Sequence, residues 1–255
     1  MAWVAAALLA SWSGLSPDEV DLTRLLAPPG PGGLLGRDDL GRPVLDRVLA
    51  GARVSFVVGV GVVAISALIG TLIGAVSGFA GGWLDLVLVR VIDLFMAFPG
   101  ILLAIALAGI MGPGVDNIIL ALVAVGWVGY ARLARAQILS LVRRDHVTAA
   151  RALGRGGWTI LIRHLIPLAQ APLLIEATFG VAGAVVAEAG LSFLGLGVQP
   201  PEASWGNMVR DGVTYLLVAP HLVLAPGLAI LMVVLSVNRL GDALRDRLDR
   251  RARRP

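Results

Sequence analysis

Apolar and polar positions along this chain are sorted into long blocks rather than alternating residue by residue. A helix needs about 20 mainly apolar residues to cross a bilayer. Five blocks meet that length or exceed it, at about 54–79, 86–111, 117–141, 168–191 and 221–240, the last being the shortest. A further apolar run at 1–12 is too short. It has neither a basic leading region nor a small-residue cleavage site, so it reads as a short or truncated first span rather than a signal peptide. The pattern predicts an all-α, polytopic helical bundle of five full spans plus a short N-terminal one.

The polar blocks carry their own signals. Residues 13–53 form a connector, and Pro28-Pro29-Gly30-Pro31-Gly32-Gly33 at its centre rules out a long helix there. After it, Leu45, Val48, Leu49 and Ala52 recur at helical spacing opposite Asp46 and Arg47, which predicts an amphipathic interfacial helix. Inside the first full span, Ser66, Gly70, Gly74 and Gly78 fall on every fourth residue and make a ridge of small side chains. Such ridges mark close helix packing, because lipid offers no hydrophobic drive for helix association. The ridge leaves open whether its partner lies in the same subunit or across a dimer.

Pro99-Gly100 interrupts the second span, and Arg90 and Asp93 stand three apart near its entry. They predict an ion pair on one helix face, with an ion or proton pathway as the alternative role. Glu176 and Glu188 lie inside or at the ends of 168–191. Intramembrane carboxylates face a cavity or a partner, and Glu176 is the better pathway candidate.

Composition fits this picture. Hydrophobic residues make up 57% of the chain and the mean hydropathy is +0.85, too apolar for a soluble domain of 255 residues. The absence of cysteine excludes disulfides and thiolate metal sites. All 21 basic residues are arginine, and most sit beside the spans rather than in a nucleic-acid-binding patch. The sequence contains no Walker phosphate loop, no Gly-x-Ser-x-Gly and no His-Glu-x-x-His. No catalytic residue, cofactor site or metal site is therefore expected on this chain.

One polar block organises the rest. Residues 143–167 carry several arginines and two histidines, and Gly156-Gly157 breaks them in the middle. Such a stretch cannot lie in hydrocarbon, where its charges and freed backbone groups would go unsatisfied. It predicts a loop folded as short helices at the membrane surface, with Ala149, Ala150, Ala152 and Gly154 allowing close approach to another protein.

Its spacing resembles the cytoplasmic coupling loop of permease subunits of binding-protein-dependent ABC importers. That pattern is Glu-Ala-Ala, three residues, Gly, nine residues, Ile, any residue, Leu, Pro. It falls here on Thr148-Ala149-Ala150, Gly154, His164, Ile166 and Pro167, with Thr148 in place of the acid and His164 in place of Ile. Leu35-Gly36-Arg37-Asp38-Asp39-Leu40-Gly41-Arg42-Pro43 is similar to a second family segment, with Arg37 and Pro43 as departures. So are Phe193-Leu194-Gly195-Leu196-Gly197-Val198-Gln199-Pro200-Pro201, Ser204-Trp205-Gly206-Asn207-Met208, and the run from Asn238 to Asp246. These point to the dipeptide, oligopeptide and nickel branch.

The resemblance implies a type I ABC importer permease fold over about 54–242 and alternating access. It also implies a second, homologous permease as heterodimer partner, two cytoplasmic ATPase subunits that hold ATP and Mg, and an external substrate-binding protein. The loop would dock in a cleft of the ATPase. Di- or oligopeptides are the implied cargo, with nickel or another small solute as the alternative. Arginine placement agrees independently. The 143–167 loop and the basic tail at 243–255 are rich in arginine, which puts both in the cytoplasm of an inner-membrane protein and leaves 13–53 and 192–217 outside. The five arginines of 13–53 lie on the wrong side for that rule.

Two other classes compete. A secondary transporter predicts an inverted repeat or midplane charges, and no clear repeat is found. An intramembrane hydrolase would draw on Ser192, His164 and His221, but His164 and Ser192 are expected on opposite sides of the membrane and cannot meet.

Overall fold

A computed structural model describes Trp3 and residues 15–31 and 33–252, and the expected span at 1–12 lies outside these apart from Trp3. Nearly all regular structure is helical, as the hydrophobic pattern predicts. In chain order the helices are α1 (Val44–Ala80), α2 (Gly82–Met96), α3 (Gly100–Met111), α4 (Val115–Leu141), α5 (Asp145–Ala152), α6 (Gly157–Ile160), α7 (Ile166–Phe193), α8 (Trp205–Val213) and α9 (His221–Ala252). A π-helical turn, Leu161–Leu165, joins α6 to α7, so residues Gly157–Phe193 form one long rod. Four helical rods are long and apolar enough to cross a membrane, and the bent pair α2–α3 makes a fifth candidate.

Three boundaries differ from the sequence pattern, each for a local reason. The amphipathic helix at 45–52 is not separate: it forms the first turns of α1, which runs unbroken for 37 residues. Proline is absent between Val44 and Ala80, while Pro43 precedes the helix and Gly81, at φ 64°, stops it. The second span bends by 83° between α2 and α3. Pro99 has no N–H to continue the ladder and restricts the residue before it, so the chain turns there. The basic tail begins inside α9, because nothing after Gly241 breaks the helix before Ala252.

The core is built where α1 crosses α4. Ser66, Gly70, Gly74 and Gly78 are all buried there. A Cβ on Gly70 would strike the Trp127 carbonyl and Tyr130, one on Gly74 the Ala131 backbone, and one on Gly78 the Arg135 carbonyl and Ile138. The ridge thus lies against α4 of the same chain, which resolves the ambiguity left by the sequence. Next to it, α7 packs on α1 through Val181 and Val185 against Gly59, and α9 packs on α7 through Gly241 against Phe179.

At the other end of α1, α8 closes the bundle. Trp205 is buried on Gly51, and its indole N–H donates to the Val48 carbonyl at 2.8 Å. The connector is fastened to this end by an ion cluster. Arg42 Nε donates to Asp38 at 2.7 Å, and Arg47 reaches Asp38 at 3.5 Å and Asp18 at 3.3 Å. Arg37 and Arg24 both lie within 3.8 Å of Asp21, whose carboxyl the Thr23 hydroxyl holds below the usual carboxylate range. Four of the five connector arginines are therefore held by aspartates.

Because backbone meets backbone at Gly74, neither wall can move aside for a methyl group. Gly74→Ala should destabilise the purified protein by ~1–3 kcal/mol, as overpacking does. Gly109→Ala is the control, since its Cβ would meet open space. Thermal unfolding in detergent should show a clearly lower midpoint for Gly74→Ala alone; equal midpoints would mean that the α1–α4 seam is loose.

Candidate functional site

The polar stretch 143–167 folds as expected into short helices, and its geometry is specific. Arg144, in extended conformation, precedes α5. Asp145 in the first turn and Arg151 in the last both suit the helix dipole. Gly154, at φ 75°, turns the chain out of the helix, and its N–H donates to the Arg151 carbonyl at 2.9 Å. The Arg155 N–H donates to the Ala150 carbonyl at 3.1 Å. Nothing lies within 4 Å of the position a Gly154 Cβ would take, so the backbone angle, not crowding, calls for glycine here.

The two faces of α5 do different things. Val147 and Ala150 are buried in the chain's own core beside Ile160, Leu161 and Leu165. Ala150 is therefore not available to an outside protein, contrary to the expectation from its place in the motif. Periodicity explains this: with an apolar Val147 three residues earlier, Ala150 falls on the inward stripe. Thr148 and Ala149 are exposed, and so are Leu153 (82%) and Trp158 (67%). The last two are large apolar residues left exposed on the loop, and the motif did not flag them.

The loop is keyed to the bundle by Phe79 at the end of α1. The Arg151 guanidinium lies 6.0 Å from the Phe79 ring centre, and Gly157 leaves room for the same ring. The π turn before Pro167 has a related logic. Proline cannot donate to the carbonyl four residues back and crowds it, and the wider turn accommodates this. Ile166 N–H accordingly donates to the Leu161 carbonyl, five residues back. His164 lies half-buried within this turn, and Pro167 is exposed at the start of α7.

The membrane charges are arranged differently from the sequence expectation. Among the described residues Arg90 and Asp93 do not pair, and both are exposed on α2. Only Ile92 of α2 is buried, so this helix touches the bundle along a narrow edge and leaves its outer face free. The ion pair forms instead between Asp85 and Arg135 of α4, with guanidinium nitrogens at 2.6 and 2.7 Å, and the Ser77 hydroxyl also donates to Asp85. Asp85 sits in the first turn of α2, where that helix still lies close to α1 and α4.

Glu188 is fully buried and accepts hydrogen bonds from Ser55 at 3.0 Å and Ser192 at 2.7 Å, tying α1 to α7. Glu176 is exposed and lines a cleft of about 350 Å³ between α1, α3, α4 and α7. The structure thus separates two carboxylates that the sequence places on one helix. Glu188 is a joint between helices, and Glu176 faces open space. Asp85, Arg135, Ser55 and Phe79 carry these contacts without any local motif; only Ser192, four residues after Glu188, left a readable helical spacing.

Comparisons with known proteins agree with this architecture. Residues 70–254 match the family described as binding-protein-dependent transport system inner membrane component. A glutathione transport system permease of Pectobacterium atrosepticum is 40% identical over 90% of this chain and 76% of its own length. A di/tripeptide transport system permease of Pseudomonas aeruginosa is 40% identical over 96% and 84%. A putative peptide transport system permease of Brucella suis is 43% identical over 97% and 84%. Among solved structures, a chain of the MetNI methionine ABC transporter in an inward-facing conformation superposes with a TM-score of 0.62 at 18% identity, covering 80% of this chain and 94% of that one. At that identity the likeness shows the fold alone. The chain belongs to the family of binding-protein-dependent transport system inner membrane components, the multi-pass permease subunits of ABC importers, in which it is a transport component rather than an enzyme.

Proposed function

We propose that this permease forms half of a pathway for short peptides, delivered by an external binding protein and driven by ATP hydrolysis on separate subunits. The carrying observation is the 145–167 loop: an exposed surface of Thr148, Ala149, Leu153 and Trp158 on a segment keyed to α1 by Arg151 and Phe79. A partner seated on that surface moves α1 directly, and α1 carries α4 through the glycine seam. The permeases of P. aeruginosa and P. atrosepticum, named for di/tripeptide and glutathione transport, support a peptide cargo.

Two ATPase subunits hold ATP and Mg in this reading, and this chain supplies no group to the nucleotide. ATP binding closes the ATPases, the loop follows their clefts, and the bundle alternates between outward and inward openings. A second, homologous permease completes the pathway. The loop and the C-terminal end of α9 face the cytoplasm, and the 15–43 connector and α8 face the binding protein.

The loop tests the coupling. Ala149→Asp and Trp158→Asp place a carboxylate on the docking surface, where burial without a partner is costly. Retention of the ATPase during co-purification should fall about tenfold or more, the effect of about 1.4 kcal/mol. Ala150→Asp should instead lower the yield of the permease itself, because that side chain points into its own core. Intact ATPase retention in Ala149→Asp and Trp158→Asp would overturn this docking surface.

Orientation is checked separately with single cysteines, which have no native background in this chain. Leu217 is 98% exposed near α8, and Leu153 is exposed at the loop. An impermeant thiol reagent added to spheroplasts should label Leu217→Cys and spare Leu153→Cys until the membrane is opened. Labelling of Leu153→Cys in intact spheroplasts would reverse the assignment.

A further inference from the structure

The cleft beside Glu176 has more chemistry than a packing defect. Its walls come from four helices and are made largely of small residues. On α7, Glu176, Gly180 and Gly183 succeed one another at helical spacing along one side of the cleft, and Gly126 and Gly129 of α4 line it as well. The side chains of Ser66 on α1 and Tyr130 on α4 are at least nine-tenths buried, and both line the same cleft. The hydroxyl oxygens of both lack any hydrogen-bond partner among the described residues. Tyr130 Oη lies against Gly180, one helical turn from Glu176, and Ser66 Oγ lies against Gly126.

The Glu176 carboxylate therefore opens on this apolar space while the two hydroxyls lie closed within its walls, and among the described residues none of the three has a hydrogen-bond partner. A carboxylate in the middle of a span is retained where it meets water or a cation. Unpaired buried hydroxyls in the same walls are acceptors and donors waiting for a polar guest. Among the described residues that line the cleft there is no basic side chain, and Glu176 is the one acidic residue there. This selects a compact cation that also forms hydrogen bonds. Resting on the peptide-transport reading above, we propose that Glu176, with the Ser66 and Tyr130 hydroxyls, forms a transient site for a protonated primary amine, the α-ammonium group of the passing peptide. The ammonium offers three N–H donors, one for the carboxylate and two for the hydroxyl oxygens.

The absence of native cysteine makes the field of this cleft measurable. Gly183 lines it, and a side chain there meets open space, so Gly183→Cys adds a thiol without crowding. The assembled complex in nanodiscs is treated with a trimethylammonium methanethiosulfonate or its sulfonate counterpart, and modification of this chain is read by mass. Relative to a free thiol, the cationic reagent should be favoured about tenfold or more, and Glu176→Gln in the same background should abolish that preference. A dipeptide amide with a free amino group should slow the cationic reaction, whereas its N-acetyl form should not.

A preference that survives Glu176→Gln, a thiol that neither reagent reaches with or without ATP, or equal protection by both peptides would overturn the proposal. So would loss of the partner permease on Glu176→Gln, since the acid would then be an intersubunit ion pair. Peptide uptake by the parent complex in proteoliposomes tests the transport reading by itself. Uptake with no amine preference at the cleft would leave that reading standing and remove this site alone.

Discussion

Helices inside a bilayer gain nothing from burying leucine against leucine, because lipid already offers an apolar environment. What holds this permease together is the close approach of α1 to α4, along a line where glycines bring the two helices almost backbone to backbone. Ser66, Gly70, Gly74 and Gly78 make that line, and the Trp127–Ile138 face of α4 fills it. Dispersion contacts are individually small, so stability depends on many of them being made at once. The remaining elements are arranged on this seam: α7 rests on α1, α9 on α7, and the Asp85–Arg135 pair fastens α2 to its Gly78 end.

The 143–167 loop depends on the same seam. Its inward residues, Val147 and Ala150, belong to the cluster that contains Ile138 and Leu141 of α4. Its outward residues carry no core function. One short helix thus serves two surfaces, and the small side chains of its motif divide between them. The inward face seats the loop on the bundle, and the outward face is left open.

The sequence was most legible where physics is periodic. Among the described residues, hydrophobic block length located each helix long and apolar enough to span to within a few residues of at least one boundary, and the i, i+4 glycine spacing identified the side of α1 that packs closely. Breakers were legible too, since the second span bends at Pro99-Gly100 and the 143–167 stretch is broken just before Gly157. The pairing of charges was not. Arg90 and Asp93 had the right spacing, yet Asp85 found Arg135 fifty residues away, which no local pattern encodes. The burial of Ala150 was hidden for a similar reason: the motif gives spacing, and only tertiary placement decides which side of α5 faces inward. Glu176 and Glu188 are a partial case: the sequence favoured Glu176 as the one facing open space, but gave no sign that Ser55 would hold Glu188.

The unbroken length of α1 has a mechanical meaning. At 37 residues and about 1.5 Å per residue it extends about 55 Å, well beyond a hydrocarbon layer of about 30 Å. Its first turn holds Arg47 within the aspartate cluster of the connector, and its last holds Phe79 beneath Arg151. The two aqueous faces of the protein are therefore the ends of a single stiff shaft. A hinge between an interfacial helix and a span would have let either end tilt alone. Without it, rotation at one face is torque at the other, and neither compartment can rearrange its end in private.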